Sequence, residues 1–216
     1  MTNTGTPTAS PGYPVEFAVD YPDRALNRLT SFFRIFVAIP IFIVLGSVNG
    51  STWEWSYENG GTAATGAGGL LFFGPLLLIL FRQKYPQWWF DWNRELLRFI
   101  NRVVAYVALM DDRYPSTDDR QAVRLDYPYP DVPRELNRWL PLVKWLLAIP
   151  HYVVLFFLDI AAIVVVIIVW FAVLFTGRYP RDLFRFVEGV LRWHNRVVGY
   201  AFVLVTDRYP PFRLAP

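Results

Sequence analysis

The chain has 216 residues, 54% of them hydrophobic and 18% aromatic, with nine Trp and a formal net charge of only +3. A soluble domain of this length carries more charge and fewer Trp, so the composition points to a membrane environment. Cysteine is absent, which excludes disulfides, thiol catalysis and zinc–thiolate sites.

In chain order, residues 1–12 are polar, with no basic region ahead of an apolar core. They read as a disordered tail rather than a signal peptide. Val15, Phe17 and Val19 then alternate with Glu16, Ala18 and Asp20, the period of a strand. An apolar span is expected over about Thr30 to Val48 and a second, short one over Gly66 to Phe81. Between them, Trp53, Trp55 and Tyr57 alternate with Glu54, Ser56 and Glu58 and turn at Asn59-Gly60, a hairpin signal. These three aromatics are candidate contacts for a partner protein. Residues 87–104 cannot span. At 100° per residue, Trp88, Trp92, Leu96, Phe99 and Val103 share one face, and Asp91, Arg94, Glu95, Arg98 and Arg102 share the other. That pattern describes a helix in the headgroup plane.

The chain then repeats itself. Arg24, Leu26, Asn27, Arg28, Ala38, Ile39 and Pro40 recur 110 residues later as Arg134, Leu136, Asn137, Arg138, Ala148, Ile149 and Pro150. KYPQWWFDWNRELLRFINRVVAY and DDRYP recur as RYPRDLFRFVEGVLRWHNRVVGY and TDRYP, now 94 and 95 residues on. Order, spacing and uncommon residues are kept together, the mark of a duplication. Repeat one covers 13–115, a linker 116–123, and repeat two 124–212. In repeat two, Leu142 to Phe175 is 34 residues long, against the roughly 20 one span needs. It is expected to form a hairpin over about 142–176, with Asp159 at the turn and Pro150, like Pro40, kinking the first span. Arg34 and Lys144 are expected to snorkel to the headgroups. A second amphipathic helix, 181–198, sets Leu183, Val187, Val190, Leu191 and His194 against Arg181, Arg185, Glu188, Arg192 and Arg196. The runs 103–110 and 197–206 favour strand or helix continuation. As strands, they would complete a four-stranded cytoplasmic sheet. Eight tyrosines precede proline, an arrangement that ends elements and anchors tyrosine at the interface.

The expected fold is thus an all-α membrane protein with minor β. It has two tandem repeats, each a transmembrane hairpin plus an amphipathic interfacial helix, with a small cytoplasmic sheet. All 21 Lys and Arg lie outside 35–81 and 145–176, which puts both termini in the cytoplasm. The lipid-contacting set is Arg94, Arg98, Arg102, Arg181, Arg185, Arg192, Arg196, Trp88 and Trp92, facing the anionic cytoplasmic leaflet.

LLAIPHYVVLFFL followed by WFAVLFTGRYPRDLFRFVEGVLRWHNRVVGYAFVLVTDRYPPF resembles the bacterial membrane family called domain of unknown function 4389. Repeat one is similar more loosely, with FRQKYP in place of LFTGRYP. The resemblance implies a helical-hairpin membrane domain, often in two copies, and no activity.

Chemistry is sparse. His151 and His194 are the only histidines. As a functional pair they would be axial haem ligands or a proton relay; otherwise each bonds a carbonyl or a neighbouring helix. Glu54, Glu58 and Asp159 would share the outer side, as a cation site or as solvated carboxylates. No metalloprotease, P-loop, dinucleotide or serine-hydrolase motif occurs. The expectation is a non-enzymatic accessory or scaffolding subunit of a membrane complex. It would touch lipid and partner membrane proteins or its own copies, and would hold no cofactor, metal or nucleic acid. The alternatives are a lipid or small-solute transporter, with a polar cavity at mid-depth lined from both repeats, and a haem- or redox-linked subunit.

Overall fold

The computed structural model describes residues 12–49, 67–117, 119 and 121–216. The elements run β1 (Glu16–Val19), α1 (Arg28–Asn49), α2 (Ala67–Arg82), α3 (Gln87–Val107), β2 (Val123–Asp126), α4 (Val132–Glu135), α5 (Pro141–Leu147), α6 (Ile149–Thr176) and α7 (Arg181–Ala201). The fold is mostly helical with one two-stranded sheet. Two of its helices are long and apolar enough to cross a membrane, Arg28–Gly46 within α1 and Ile149–Thr176.

The strand expected over 15–19 is β1. It pairs antiparallel with β2, Phe17 opposite Leu125 and Ala18 opposite Arg124. Phe17, Val19, Val123 and Leu125 are buried, while Glu16, Arg124 and Asp126 face out, the alternation of a half-covered sheet. Tyr-Pro dipeptides stand before α3 and α7. Pro86 and Pro180 hold the extended geometry that starts each helix, and their carbonyls accept from Phe90 and Phe184 at 3.1 and 3.0 Å. α6 ends at Gly177, whose φ of 70° closes the helix with an N–H bond to Val173. Only glycine takes that conformation without strain.

Two expectations are corrected and two more are decided. The turn at Asp159 does not exist: α6 runs unbroken from Ile149 to Thr176. No Gly or Pro stands between His151 and Thr176, so nothing local interrupts its hydrogen bonding. The break expected at Pro150 is present: α5 ends at Leu147, α6 starts at Ile149, and Pro150 falls in the first turn of α6, where its missing N–H costs nothing. The runs 103–110 and 197–206 add no strand. Each continues its helix and then reverses at a left-handed residue, Leu109 (φ 65°) or Leu204 (φ 61°). Met110 N–H to Ala105 and Val205 N–H to Gly199 close these reversals. Tyr13, Tyr85, Tyr127 and Tyr179 are in the core, not at an interface; burial drives all four phenols well above their ordinary pKa.

The helices pair lengthwise. Ala38, Ile41 and Leu45 of α1 cluster with Phe99, Val103 and Tyr106 of α3. Ala148 and Leu155 cluster with Trp193, Val197, Tyr200 and Ala201, and Val169 and Val173 join Phe184 and Val187 in the main core. Residue numbers rise on one helix as they fall on its partner, so α3 lies antiparallel along α1, and α7 along α6. α1 also lies antiparallel to α6, where Trp170 Nε1 donates to the Ser31 carbonyl at 3.1 Å and its ring stacks on Phe32. The strands attach to the amphipathic helices. Arg98 Nε donates to the Leu125 carbonyl at 2.8 Å and Arg192 Nε to the Phe17 carbonyl at 2.9 Å.

Candidate functional site

Where the four long helices meet, an apolar cleft of about 630 Å³ opens. Its walls come from both halves of the chain: Phe42 of α1, Ile100 and Val104 of α3, Ala162, Ile163 and Val166 of α6, and Val190 and Val198 of α7. Phe42, Ile163 and Ile167 at its margin are 46%, 61% and 53% exposed, so the cleft opens onto the apolar outer surface of α1 and α6.

Two polar pairs interrupt the walls. Asn101 Nδ2 donates to Asn195 Oδ1 at 2.8 Å, and Asn195 Nδ2 donates back to Asn101 Oδ1 at 2.7 Å. Each amide also donates to the carbonyl one turn earlier on its own helix, Leu97 or Leu191. Both side chains are 6% exposed. A buried amide left without its partner costs about 1–3 kcal/mol. Asn101→Leu and Asn195→Leu are therefore each expected to destabilise by about that much. The double variant should lose clearly less than the sum, because two apolar groups orphan nothing. Unfolding of the three variants in detergent checks this, and strict additivity would contradict it. The pair was visible in the sequence only as an Asn-Arg-Val recurring inside two amphipathic helices. The second polar pair is Asp159 and His194, with Nε2 3.4 Å from the carboxylate and Nδ1 3.2 Å from the Val190 carbonyl. Asp159 thus faces α7 from the middle of α6.

His151 is wholly buried elsewhere. Its Nδ1 accepts from Trp193 Nε1 at 3.0 Å, and its ring stacks 4.0 Å from Phe212 with Tyr209 alongside. An acceptor Nδ1 leaves the proton of a neutral imidazole on Nε2. With His151 set against the C-terminal segment and His194 in the cleft, the two are not arranged as a shared ligand pair. Among the described residues no group of three or more His, Asp or Glu is placed to hold a metal ion. Trp53, Trp55, Tyr57, Glu54 and Glu58 lie outside the described residues.

The basic residues divide. Arg34 and Lys144 do not snorkel; they are 2% and 0% exposed. Arg34 Nη2 pairs with Asp112 at 2.5 Å, Arg34 Nη1 donates to the Tyr106 and Asp111 carbonyls, and the guanidinium lies over the Tyr106 ring. Lys144 Nζ pairs with Asp207 at 2.7 Å, donates to the Thr206 carbonyl and lies over the Tyr200 ring. The other oxygen of each carboxylate accepts a backbone N–H, from Asn27 at 2.8 Å and from Asn137 at 2.6 Å. The two Asp-Arg-Tyr-Pro segments thus supply counter-ions. The aligned sequences held that signal, since each Asp recurs opposite a recurring basic position.

Arg102, Arg192 and Arg196, expected at a lipid surface, are 8%, 7% and 3% exposed. Arg102 holds the carbonyls of Ser116 and Thr117, Arg192 that of Leu214, and Arg196 those of Arg213 and Ala215. Burial, then the like charges of Arg213 and Arg192, lower the pKa of Arg196. The periodicity expressed amphipathicity correctly, but these three arginines of the polar faces bind the rest of the chain. Arg94 and Arg98 are partly exposed and paired with Asp91 and Glu95. Arg181 and Arg185 are exposed, as are Trp88 and Trp92 at 69% and 45%.

A family model, Domain of unknown function (DUF4389), matches residues 139–213. The match is a single stretch covering α5 to α7 and the second Asp-Arg-Tyr-Pro segment. No curated protein and no solved structure matches the chain.

Proposed function

We propose that the protein resides in the bacterial cytoplasmic membrane, both chain ends on the cytoplasmic side, as a non-enzymatic accessory or scaffolding subunit. One observation carries this reading: large apolar side chains stand exposed from Leu29 to Val44 of α1 and along α6, and only 11% of the most apolar window of α6 is buried. A soluble monomer rarely leaves an apolar patch beyond about 600 Å² uncovered. The reading includes a duplicated chain. Paired contacts at aligned positions support that, among them Arg34–Asp112 with Lys144–Asp207 and Tyr21 to the Tyr179 carbonyl with Tyr129 to the Tyr85 carbonyl. The cleft offers apolar walls rather than a converging acid, base and nucleophile, which favours binding over catalysis.

A second reading is lipid handling, favoured by the cleft itself. It is lined from both halves, and its volume falls within the roughly 300–1,000 Å³ of ligand pockets, but its walls suit an acyl chain and not a polar solute. Gentle detergent extraction of the native membrane, then mass spectrometry of what co-purifies, tests both. The chain is expected in the membrane fraction with a stoichiometric membrane-protein partner. Lipid held through purification without such a partner would favour the second reading, and recovery in the soluble fraction would overturn both.

A further inference from the structure

Building on the membrane residence proposed above, we propose that α1 and α6 lie flat in a single leaflet, parallel to the membrane surface, instead of crossing it. Their exposed apolar face would then be a docking surface for the acyl chains of the cytoplasmic leaflet. The argument is geometric. α7 stays beside α6 from Val173 and Phe184 at one end to Ala148 and Ala201 at the other, with Asp159 and His194 between. Whatever angle α6 takes to the bilayer, α7 takes nearly the same. Stood upright, the 21 residues of α7 would occupy about 31 Å of depth, the whole hydrocarbon core. They would place Arg185 and Glu188 inside it, about 6 and 10 Å from the helix end.

The sheet decides more sharply. It is bonded to Arg98 and Arg192, each near the midpoint of its 21-residue helix. With the helices upright, the sheet would sit at mid-depth, and with it the Arg124 and Asp126 side chains, each 70% exposed. Open strand edges and solvated charges do not occur against lipid tails. Laid flat, the same molecule puts α1 and α6 among the acyl chains and sets the sheet outside the hydrocarbon, in water. The exposed stripe supports this orientation. Phe156, Ile160, Val164 and Phe171 are 60%, 48%, 51% and 50% exposed and share a face of α6 along most of its length. Its 28 residues make about 42 Å, well over the roughly 30 Å of a bilayer core, a mismatch that a flat helix does not meet.

The chain has no cysteine, so single-cysteine variants read topology directly. Arg138→Cys and Arg178→Cys flank α5–α6 at exposed positions, and Ile160→Cys sits where a hairpin would turn. Each variant, in its membrane fraction, is treated with a membrane-impermeant maleimide in spheroplasts and in inside-out vesicles. Labelling at 138 and 178 from the cytoplasmic side only, with none at 160 from outside, is the expected result. Labelling of 138 and 178 from opposite sides would show α6 to span, and labelling of 160 from outside would show a hairpin; either overturns the flat orientation while leaving membrane residence intact. Absence of the protein from the membrane fraction would instead remove the residence on which it rests.

Discussion

Replacing Asp207 with Ala is expected to destabilise the protein by about 3 kcal/mol, the lower end of what breaking one side of a buried ion pair costs. The lower end applies because the Asp207 side chain keeps 21% exposure, whereas Lys144 keeps none. Asp207 holds Lys144 with one oxygen and the Asn137 N–H with the other, so the change leaves a buried ammonium with only the Thr206 carbonyl and the Tyr200 ring, and frees a backbone donor. Lys144→Met combined with Asp207→Asn should recover most of the loss, because the charge goes and the amide oxygen still accepts from Asn137. Asp112→Ala is expected to behave alike, since Asp112 binds Arg34 and the Asn27 N–H in the same manner. Unfolding in detergent measures all of these. A loss below about 1 kcal/mol for Asp207→Ala, as at a solvent-screened surface pair, would mean that Lys144 is not the enclosed cation described.

Glutamate at Phe156, Ile160, Val164 and Phe171 together is expected to move the protein from the membrane fraction to the soluble one without unfolding it. These side chains belong to none of the core clusters and do not line the cleft, so the fold does not depend on them. Each buries enough apolar surface in lipid to contribute about 1 kcal/mol, taken as roughly half the value for full burial. Four such losses plus four new charges shift partitioning by several orders of magnitude, at about 1.4 kcal/mol per factor of ten. Fractionation and circular dichroism of the quadruple variant measure the two halves of the expectation. A folded variant still pelleting with membranes would show that this face does not hold the lipid. A variant that reaches the membrane but cannot fold would instead fit a helix that needs those residues to insert.

Much of this architecture was legible in the residues. Period-two alternation located β1, and the 3.6-residue pattern located α3 and α7 to within a few residues. The recurrence of Arg34 as Lys144 and of Asp112 as Asp207 marked these positions as equivalent in the two halves, without showing that each base meets its acid. The failures share one cause. Hydropathy reports that Leu142 to Phe175 is apolar, and its length with Asp159 near the middle suggests a turn, but helix continuity depends on the absence of breakers between His151 and Thr176. Amphipathicity likewise reports that one face of α7 is charged without saying what meets it. Arg192 and Arg196 lie on that charged face, yet the carbonyls of Phe17, Leu214, Arg213 and Ala215 occupy them.

Residue order was enough to locate β1, α3 and α7, to show that the chain is unusually apolar and to show which residues recur, because propensity, periodicity and composition are properties of neighbours along the chain. Folding in three dimensions was needed to set α7 along the length of α6, to hang the sheet from the middle of α3 and α7, and to bring two buried cations to their carboxylates. Those outcomes depend on contacts between residues tens of positions apart, and the geometry of such contacts is set when the layers pack.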